Sequence, residues 1–131
     1  MNRTVTLDVK GNIYEIEYPN TGQQIDIELL KARIADGSYE MLRLSSNPIF
    51  QDQADRIDMI ATFSILIPKL KKDLNVETFF ALKEEESNVL VKVYEDTFMP
   101  WYTKIKKAIR NPKGQGDKKE DPKDELTSDR E

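Results

Sequence analysis

Cysteine and histidine are both absent from the 131-residue chain. Their absence excludes disulfides, thiolate nucleophiles, imidazole bases and zinc sites built from these two residue types. The one close glycine pair, Gly114 and Gly116, follows no strand, so the phosphate-binding loop of a nucleotide enzyme is not predicted. We therefore expect a protein that is not an enzyme, with no cofactor and no metal.

Long apolar runs and an excess of positive charge are also missing. The longest apolar run covers residues 59–67, whereas a bilayer-spanning helix takes about 20 residues. The alternating N-terminal residues do not resemble a signal peptide. The net charge is −4, so the basic excess that gives nucleic-acid binders most of their affinity is absent. We expect a soluble intracellular protein that binds neither membranes nor nucleic acids.

Strand alternation is the first structural pattern along the chain. Residues 4–9 and 13–18 each alternate apolar and polar side chains, which is the period of a half-buried strand. The turn signal Lys10-Gly11-Asn12 lies between them, so the two segments predict a β-hairpin. Because an isolated hairpin is marginally stable in water, we expect it to pack against helices or another subunit. The side chains on its apolar face are Val5, Leu7, Val9, Tyr14, Ile16 and Tyr18.

Helical spacing begins directly after the hairpin. A first helix is predicted over residues 21–35, with Thr21 and Gln24 as its capping box and Asp36-Gly37 as its stop signal. Residues 38–46 are compatible with a helical turn or with an ordered loop. The apolar side chains of the first helix fall on two flanks, Ile25, Leu29 and Ala32 on one and Ile27, Leu30 and Ile34 on the other.

Three further helices are predicted. The second covers residues 48–67, because Asn47 can cap it and a proline suits its first position. Its second half is apolar almost all round, which predicts the central helix of the core. A short third helix is predicted over residues 76–82 with Asn75 as its cap, and a long fourth helix over residues 84–110.

Together these elements predict an α+β fold, in which an N-terminal β-hairpin precedes a small bundle of about four helices. Residues 1–110 form this domain. Residues 111–131 contain a single large apolar side chain, Leu126, among dense mixed charge. Such a segment cannot bury enough surface to offset the entropy of ordering it. We therefore predict that it is a disordered charged tail.

Charged residues at regular spacing are candidates for a binding site. Asp52, Asp55 and Asp58 roughly share one face of the second helix. Such a row could bind a hard cation, or it could be a solvated face near the start of the helix, where acidic side chains are favourable. The solvated face is favoured. Of the two basic runs, residues 69–72 and residues 104–110, the latter lies in the last turns of a helix. Positive charge complements the helix dipole there, which is favoured over a nucleic-acid patch.

Pro100 lies inside the long fourth helix, directly before Trp101, the only tryptophan. Because proline removes a backbone hydrogen bond, we expect the helix to bend near Tyr94–Asp96 or to break before Pro100, and so to turn Trp101 and Tyr102 away from the preceding apolar stripe. Trp101 then either folds back over the core or belongs to an exposed surface. In the second case the partner-binding residues are Phe98, Trp101, Tyr102 and Ile105, because aromatic side chains supply much of the binding energy at interfaces.

Three segments carry a family resemblance. They are YEIEYPNTGQQIDIELLKARIADGSY at residues 14–39, MIATFSILIPKLKKDLNV at residues 59–76 and VKVYEDTFMPWY at residues 91–102. Over about residues 4–105 the chain resembles the tail assembly chaperones of long-tailed bacteriophages. The resemblance implies a small protein, in the cytoplasm of a bacterial host, that coats the tape measure protein and helps to recruit tail tube subunits. It also implies self-association through apolar contacts.

A second function stays open beside the chaperone. The chain also fits a small structural or adaptor protein of a virion or of another assembly, which acts by protein–protein binding. The open edge of the predicted hairpin would allow strand addition in such a role.

Overall fold

The computed structural model describes residues 2–111 as a two-stranded hairpin followed by helices. This order confirms the predicted α+β fold with its N-terminal hairpin. The predicted tail lies, from residue 112 onward, outside the described residues. The strands and helices are β1 (Thr4–Val9), β2 (Asn12–Glu17), α1 (Thr21–Ile34), α2 (Tyr39–Leu44), α3 (Pro48–Leu66), α4 (Leu70–Asp73), α5 (Glu84–Val93) and α6 (Met99–Arg110).

The hairpin is antiparallel, and its strands pair Thr4 with Glu17 and Leu7 with Tyr14. Lys10 and Gly11 form the turn with φ values of 54° and 91°. Positive φ at both central residues suits the turns that match the twist of a hairpin. Burial alternates as the sequence predicts, and the fully or nearly fully buried side chains are Leu7, Val9, Tyr14 and Ile16.

The cap of α1 lies one residue earlier than predicted. Asn20 Oδ1 accepts a hydrogen bond from Gln23 N at 2.8 Å, and Gln23 Oε1 accepts one from Asn20 N at 2.9 Å. The predicted box of Thr21 and Gln24 is therefore wrong, because Asn20 has the extended backbone of a cap whereas Thr21 is already helical. The predicted stop at Asp36-Gly37 is confirmed by φ values of 52° and 80°.

Two short segments differ in how well the sequence predicted them. The ambiguous segment forms the short helix α2. The predicted third helix over residues 76–82 is wrong, because Asn75 takes the left-handed φ of 60°, whereas an N-cap has extended backbone. Only a 3₁₀ turn, Phe79–Ala81, forms there, and Thr78 caps it by accepting from Phe80 N.

The predicted core helix is confirmed as α3. Its cap is Asn47, whose Oδ1 accepts from Ile49 N at 2.9 Å. In its second half, buried residues occur on several sides, and Phe63 has no exposed surface. Between residues 2 and 111, no helix is both long and apolar enough to cross a membrane. The central core consists of Leu7, Val9, Tyr14, Ile16, Met59, Phe63, Ile67, Leu70, Phe79, Leu90, Tyr94 and Phe98.

The long fourth helix is confirmed, and a wider turn inside it accommodates Pro100. Residues Tyr94–Phe98 form a π-helical segment between α5 and α6. There, Met99 N donates to Tyr94 O, five residues back instead of four. Proline has no N–H, and its ring crowds the carbonyl of the preceding turn. The chain therefore passes Pro100 in a widened helical turn and does not break before it.

Candidate protein-binding surfaces

Stacked aromatic rings connect the long helix to the end of the hairpin. The ring centroids of Tyr94 and Phe98 are 5.5 Å apart, and those of Phe98 and Tyr102 are 5.6 Å apart. Tyr102 in turn stacks on Tyr18 at 5.1 Å. Phe63 and Trp101 meet these rings edge-on. We call the six rings the aromatic column; its members are Tyr18, Phe63, Tyr94, Phe98, Trp101 and Tyr102.

The four residues predicted to bind a partner all pack within this chain. Phe98 and Ile105 are 2% and 4% exposed, whereas Trp101 and Tyr102 are half-buried against the core. The expectation that Pro100 turns Trp101 and Tyr102 away from the preceding stripe is wrong, because the π-helical turn keeps Phe98 and Tyr102 stacked on one face. Binding by these four residues stays a prediction, and a partner would reach only the outer parts of Trp101 and Tyr102.

A charged network connects the first three helices. Asp58 of α3 accepts from Tyr39 Oη and Arg43 Nη2 of α2, and Lys31 Nζ of α1 lies 3.5 Å from it. Arg43 Nη1 also donates to Asp55 Oδ1 at 3.0 Å. We call these five side chains the Asp58 network. A carboxylate that holds groups from two other helices fixes the positions of those helices relative to α3.

The row of aspartates on α3 is therefore used in ion pairs. Asp52 pairs with Arg56 at 2.9 Å, and Asp55 and Asp58 both bind Arg43. The interpretation of the row as a solvated face is wrong for Asp58, whose side chain is only 14% exposed. In the described part of the chain, no group of three or more carboxylates is arranged to hold a metal ion.

Titration of the network follows from burial and from its charges. Burial acts to lower the pKa of Lys31, but Asp58 and Glu28 raise it above its usual value. Burial also raises the pKa of Tyr39, and its hydrogen bond to Asp58 adds to the effect. The pKa of Tyr94 rises to about 12, first through burial and then through the charge of Asp58. Near neutral pH the lysine is charged and the tyrosines are neutral, so the network is complete.

Large apolar side chains remain exposed on the same three helices. Leu44 at the end of α2 is 81% exposed, and Ile49 at the start of α3 is 67% exposed. Only a short connection separates these two residues, so α2 and α3 present them close together along the chain. We call the whole set the exposed apolar group; its members are Ile25, Leu29, Met41, Leu44, Ile49 and Phe50.

Sequence reasoning did not separate the exposed members of this group from the buried apolar side chains of the same helices. Ile25 and Leu29 lie on one flank of α1, but α1 packs on α3 through the other flank, where Ile27 is buried. Phe50 lies in the first turn of α3 and is 37% exposed. The available signal was that α1 is apolar on two flanks, since one helix cannot bury both against a single neighbour.

No family model matches the chain, and no curated protein or solved structure matches it. The function is therefore inferred from the exposed apolar group and the Asp58 network.

Proposed function

We propose that the protein is an assembly chaperone, which binds apolar segments of a client protein through the exposed apolar group. By resemblance, its class is that of the tail assembly chaperones of long-tailed phages, the clients being the tape measure protein and tail tube subunits. The observation that carries the proposal is the exposure of Leu44 and Ile49 in a chain that has a complete core elsewhere. Exposed apolar side chains that form a contiguous patch are typical of protein-binding sites.

The surroundings of the exposed apolar group suit binding. Arg43 lies next to Leu44 and is held by Asp55 and Asp58, so α2 is fixed on α3 by polar contacts and its outward apolar side chains need not be buried. A rigid presentation of apolar anchors lowers the entropy lost on binding. The same anchors can meet a helical client or a second copy of the chain, in agreement with the self-association that the resemblance implies.

The chemistry of the chain supports binding over catalysis. The chain has no histidine or cysteine, so a general base or nucleophile would have to come from groups such as those of the Asp58 network. Those groups are already engaged with one another: Asp58 with Arg43, and Tyr39 with Asp58. Side chains committed to ion pairs between helices hold the fold and are poorly placed to exchange protons with a substrate.

The proposal is tested by co-expressing the chain with the long coiled-coil tape measure protein encoded in the same genome and purifying the complex. The double variant Leu44→Ser with Ile49→Ser should recover much less client. The matched control is Ile13→Ser with Val89→Ser, which removes two exposed apolar side chains from the hairpin and α5. Equal recovery by both double variants, or no complex with the unchanged chain, would contradict the proposal.

A further inference from the structure

A basic cavity lies where the start of the hairpin, the start of α1 and the end of α6 meet. Its volume is about 410 Å³. Three cations line it: Arg3 before β1, and Lys106 and Arg110 on α6. Among residues 2–111, no carboxylate lines it, although the protein as a whole carries a net charge of −4. The cavity is therefore a local reversal of the overall charge.

The three cations have no carboxylate to neutralise them within residues 2–111. Lys106 Nζ lies 3.4 Å from Tyr102 Oη and 5.3 Å from the centroid of that ring, so the aromatic column holds it at the cavity. Lys106 and Arg110 are one helical turn apart, a spacing at which like charges repel. An anion bound between them would remove this repulsion.

The start of α1 adds to the positive potential. The first turn of α1 contains no acidic residue, so the positive end of its dipole is not offset by a carboxylate there. Asn20 and Thr21 of this turn line the cavity beside Arg3. Lys106 and Arg110 also complement the C-terminal end of the α6 dipole. That role does not explain why Arg3 and the N-terminal end of α1 line the same cavity.

The chain itself carries a segment of the opposite charge. Residues 120–131 contain six carboxylates and only two cations, Lys123 and Arg130. Glu120 follows Arg110 by ten positions along the chain, and that length of chain spans up to roughly 35 Å. The segment can therefore reach a cavity that begins at Arg110. Because it is tethered, its effective concentration at the cavity is on the order of millimolar.

We infer that the acidic segment at residues 120–131 binds through its carboxylates in the basic cavity of its own chain. Arg3, Lys106 and Arg110 supply the charge, and Ile109, which is 36% exposed and lines the cavity, offers an apolar contact to Leu126. The contact is independent of the proposed chaperone function, since it uses none of the exposed apolar group.

The test uses the full chain and its lack of cysteine. Ser128→Cys introduces one attachment point for a nitroxide spin label, and paramagnetic broadening of backbone amides is then measured by NMR. We expect strong loss of signal at Arg3, Tyr18 and Thr21, which are far from the label in sequence. The loss should disappear at about 1 M salt, where the Debye length is about 3 Å. Persistence of the broadening at this salt concentration would overturn the electrostatic contact.

Two variants of the labelled chain locate the contact. Arg3→Gln with Lys106→Gln and Arg110→Gln should abolish the broadening. The matched control, Lys69→Gln with Lys71→Gln and Lys72→Gln, removes three cations from the other basic run and should leave the broadening unchanged. Broadening that survives the first variant, or that is lost in the control, would overturn the inference.

A mixed sample separates contact within one chain from contact between chains. Labelled chain at natural isotope abundance is mixed with unlabelled chain enriched in ¹⁵N. Unchanged amide signals of the enriched chain are the expected result. Broadening at Arg3 and Thr21 in this sample would show that the segment binds a second copy, and would overturn the assignment to the same chain.

Discussion

Asp58 and Phe63 lie five residues apart on α3 and face two different halves of the molecule. Phe63 packs edge-on against Tyr94 and Phe98, in the half that contains the hairpin and the long C-terminal helix. Asp58 faces α1 and α2 and binds Tyr39 and Arg43. One half is closed by apolar and aromatic packing, and in the other half helices are attached by a charged network.

The two halves therefore use their apolar side chains differently. In the aromatic half, apolar residues such as Leu7 and Phe98 are buried and contribute to folding. In the network half, Leu44 and Ile49 remain in solvent, because ion pairs already fix the helices that carry them. Apolar side chains that are not buried on folding remain available to a partner. The network half is therefore the more favourable half for binding one.

The largest effect is expected in the aromatic half, from Phe63→Ala. Phe63 is fully buried, and truncation of a buried phenylalanine typically destabilises a protein by about 3–5 kcal/mol. Urea unfolding measures the change. A loss below about 1 kcal/mol would mean that the aromatic column does not form the core, and would remove the distinction between the halves.

A smaller loss is expected from Trp101→Ala, which sharpens the comparison inside the aromatic half. Trp101 meets Tyr18 and Phe98 edge-on but is only half-buried, so we expect a loss of roughly 2–3 kcal/mol, below that of a fully buried ring. Association with a client or second copy is measured on the same variant, since aromatic anchors typically contribute about 2 kcal/mol or more to binding. Unchanged association per folded molecule would assign Trp101 to the core alone.

Asp58→Ala tests the network half. It leaves Arg43 and the largely buried Lys31 without their shared carboxylate, and losing a hydrogen bond to a charged group typically costs about 1.5–3 kcal/mol. The matched control is Asp52→Ala, whose half-exposed carboxylate pairs with Arg56 within α3 and should contribute less than about 1 kcal/mol. Similar losses from both variants in urea unfolding would show that Asp58 does not hold the helices together.

Tyr94 connects the two halves. Its ring belongs to the aromatic column, and the negative charge of Asp58 contributes to its raised pKa. Its pKa of about 12 exceeds the value of about 10 in an unfolded chain. Its neutral hydroxyl therefore contributes stability in full below pH 10, and this contribution is lost as the pH rises towards 12. The loss is on the order of 2 kcal/mol.

The matched variant is Tyr94→Phe, which keeps the ring and removes the ionisable group. Other groups also titrate at high pH, so the informative quantity is the difference between the two chains in urea unfolding from pH 8 to pH 11. The variant should lose less stability over this range than the unchanged chain. Parallel curves would show that Tyr94 does not titrate in a buried site.

Sequence patterns predicted the aromatic half well, because its signals are local. Alternation in the strands and the all-round apolar segment of α3 both depend on neighbouring residues alone. The cap of α1 was missed by one position because Asn20-Thr21 and Gln23-Gln24 offer two equivalent capping boxes. The π-helical turn was missed because a proline within a helix is compatible with a bend, a break or a widened turn.

The network half was harder to predict because it depends on contacts distant in sequence. Arg43 reaches Asp58 across fifteen residues, and no local period indicates that pairing. Which flank of α1 is buried depends on how α1 docks on α3, and both flanks are apolar in sequence. The exposure of Ile25 and Leu29 therefore follows from tertiary packing and not from the helical pattern.

The smallest effect on stability is expected from Leu44→Ser, and it tests the comparison most directly. A side chain that is 81% exposed removes little apolar area from water on folding, so the free energy of unfolding should change by less than about 0.5 kcal/mol. Self-association, measured by sedimentation equilibrium, should nevertheless weaken, because Leu44 belongs to the proposed binding surface. Ile13→Ser, at the similarly exposed Ile13 of the hairpin, is the control and should change neither quantity. Unfolding should be repeated at two protein concentrations, since an interface that stabilises the folded state makes its stability depend on concentration. If Leu44→Ser destabilises the chain equally at both concentrations and by as much as a core substitution, Leu44 is buried within one molecule in solution, and the exposed apolar group is not a binding surface.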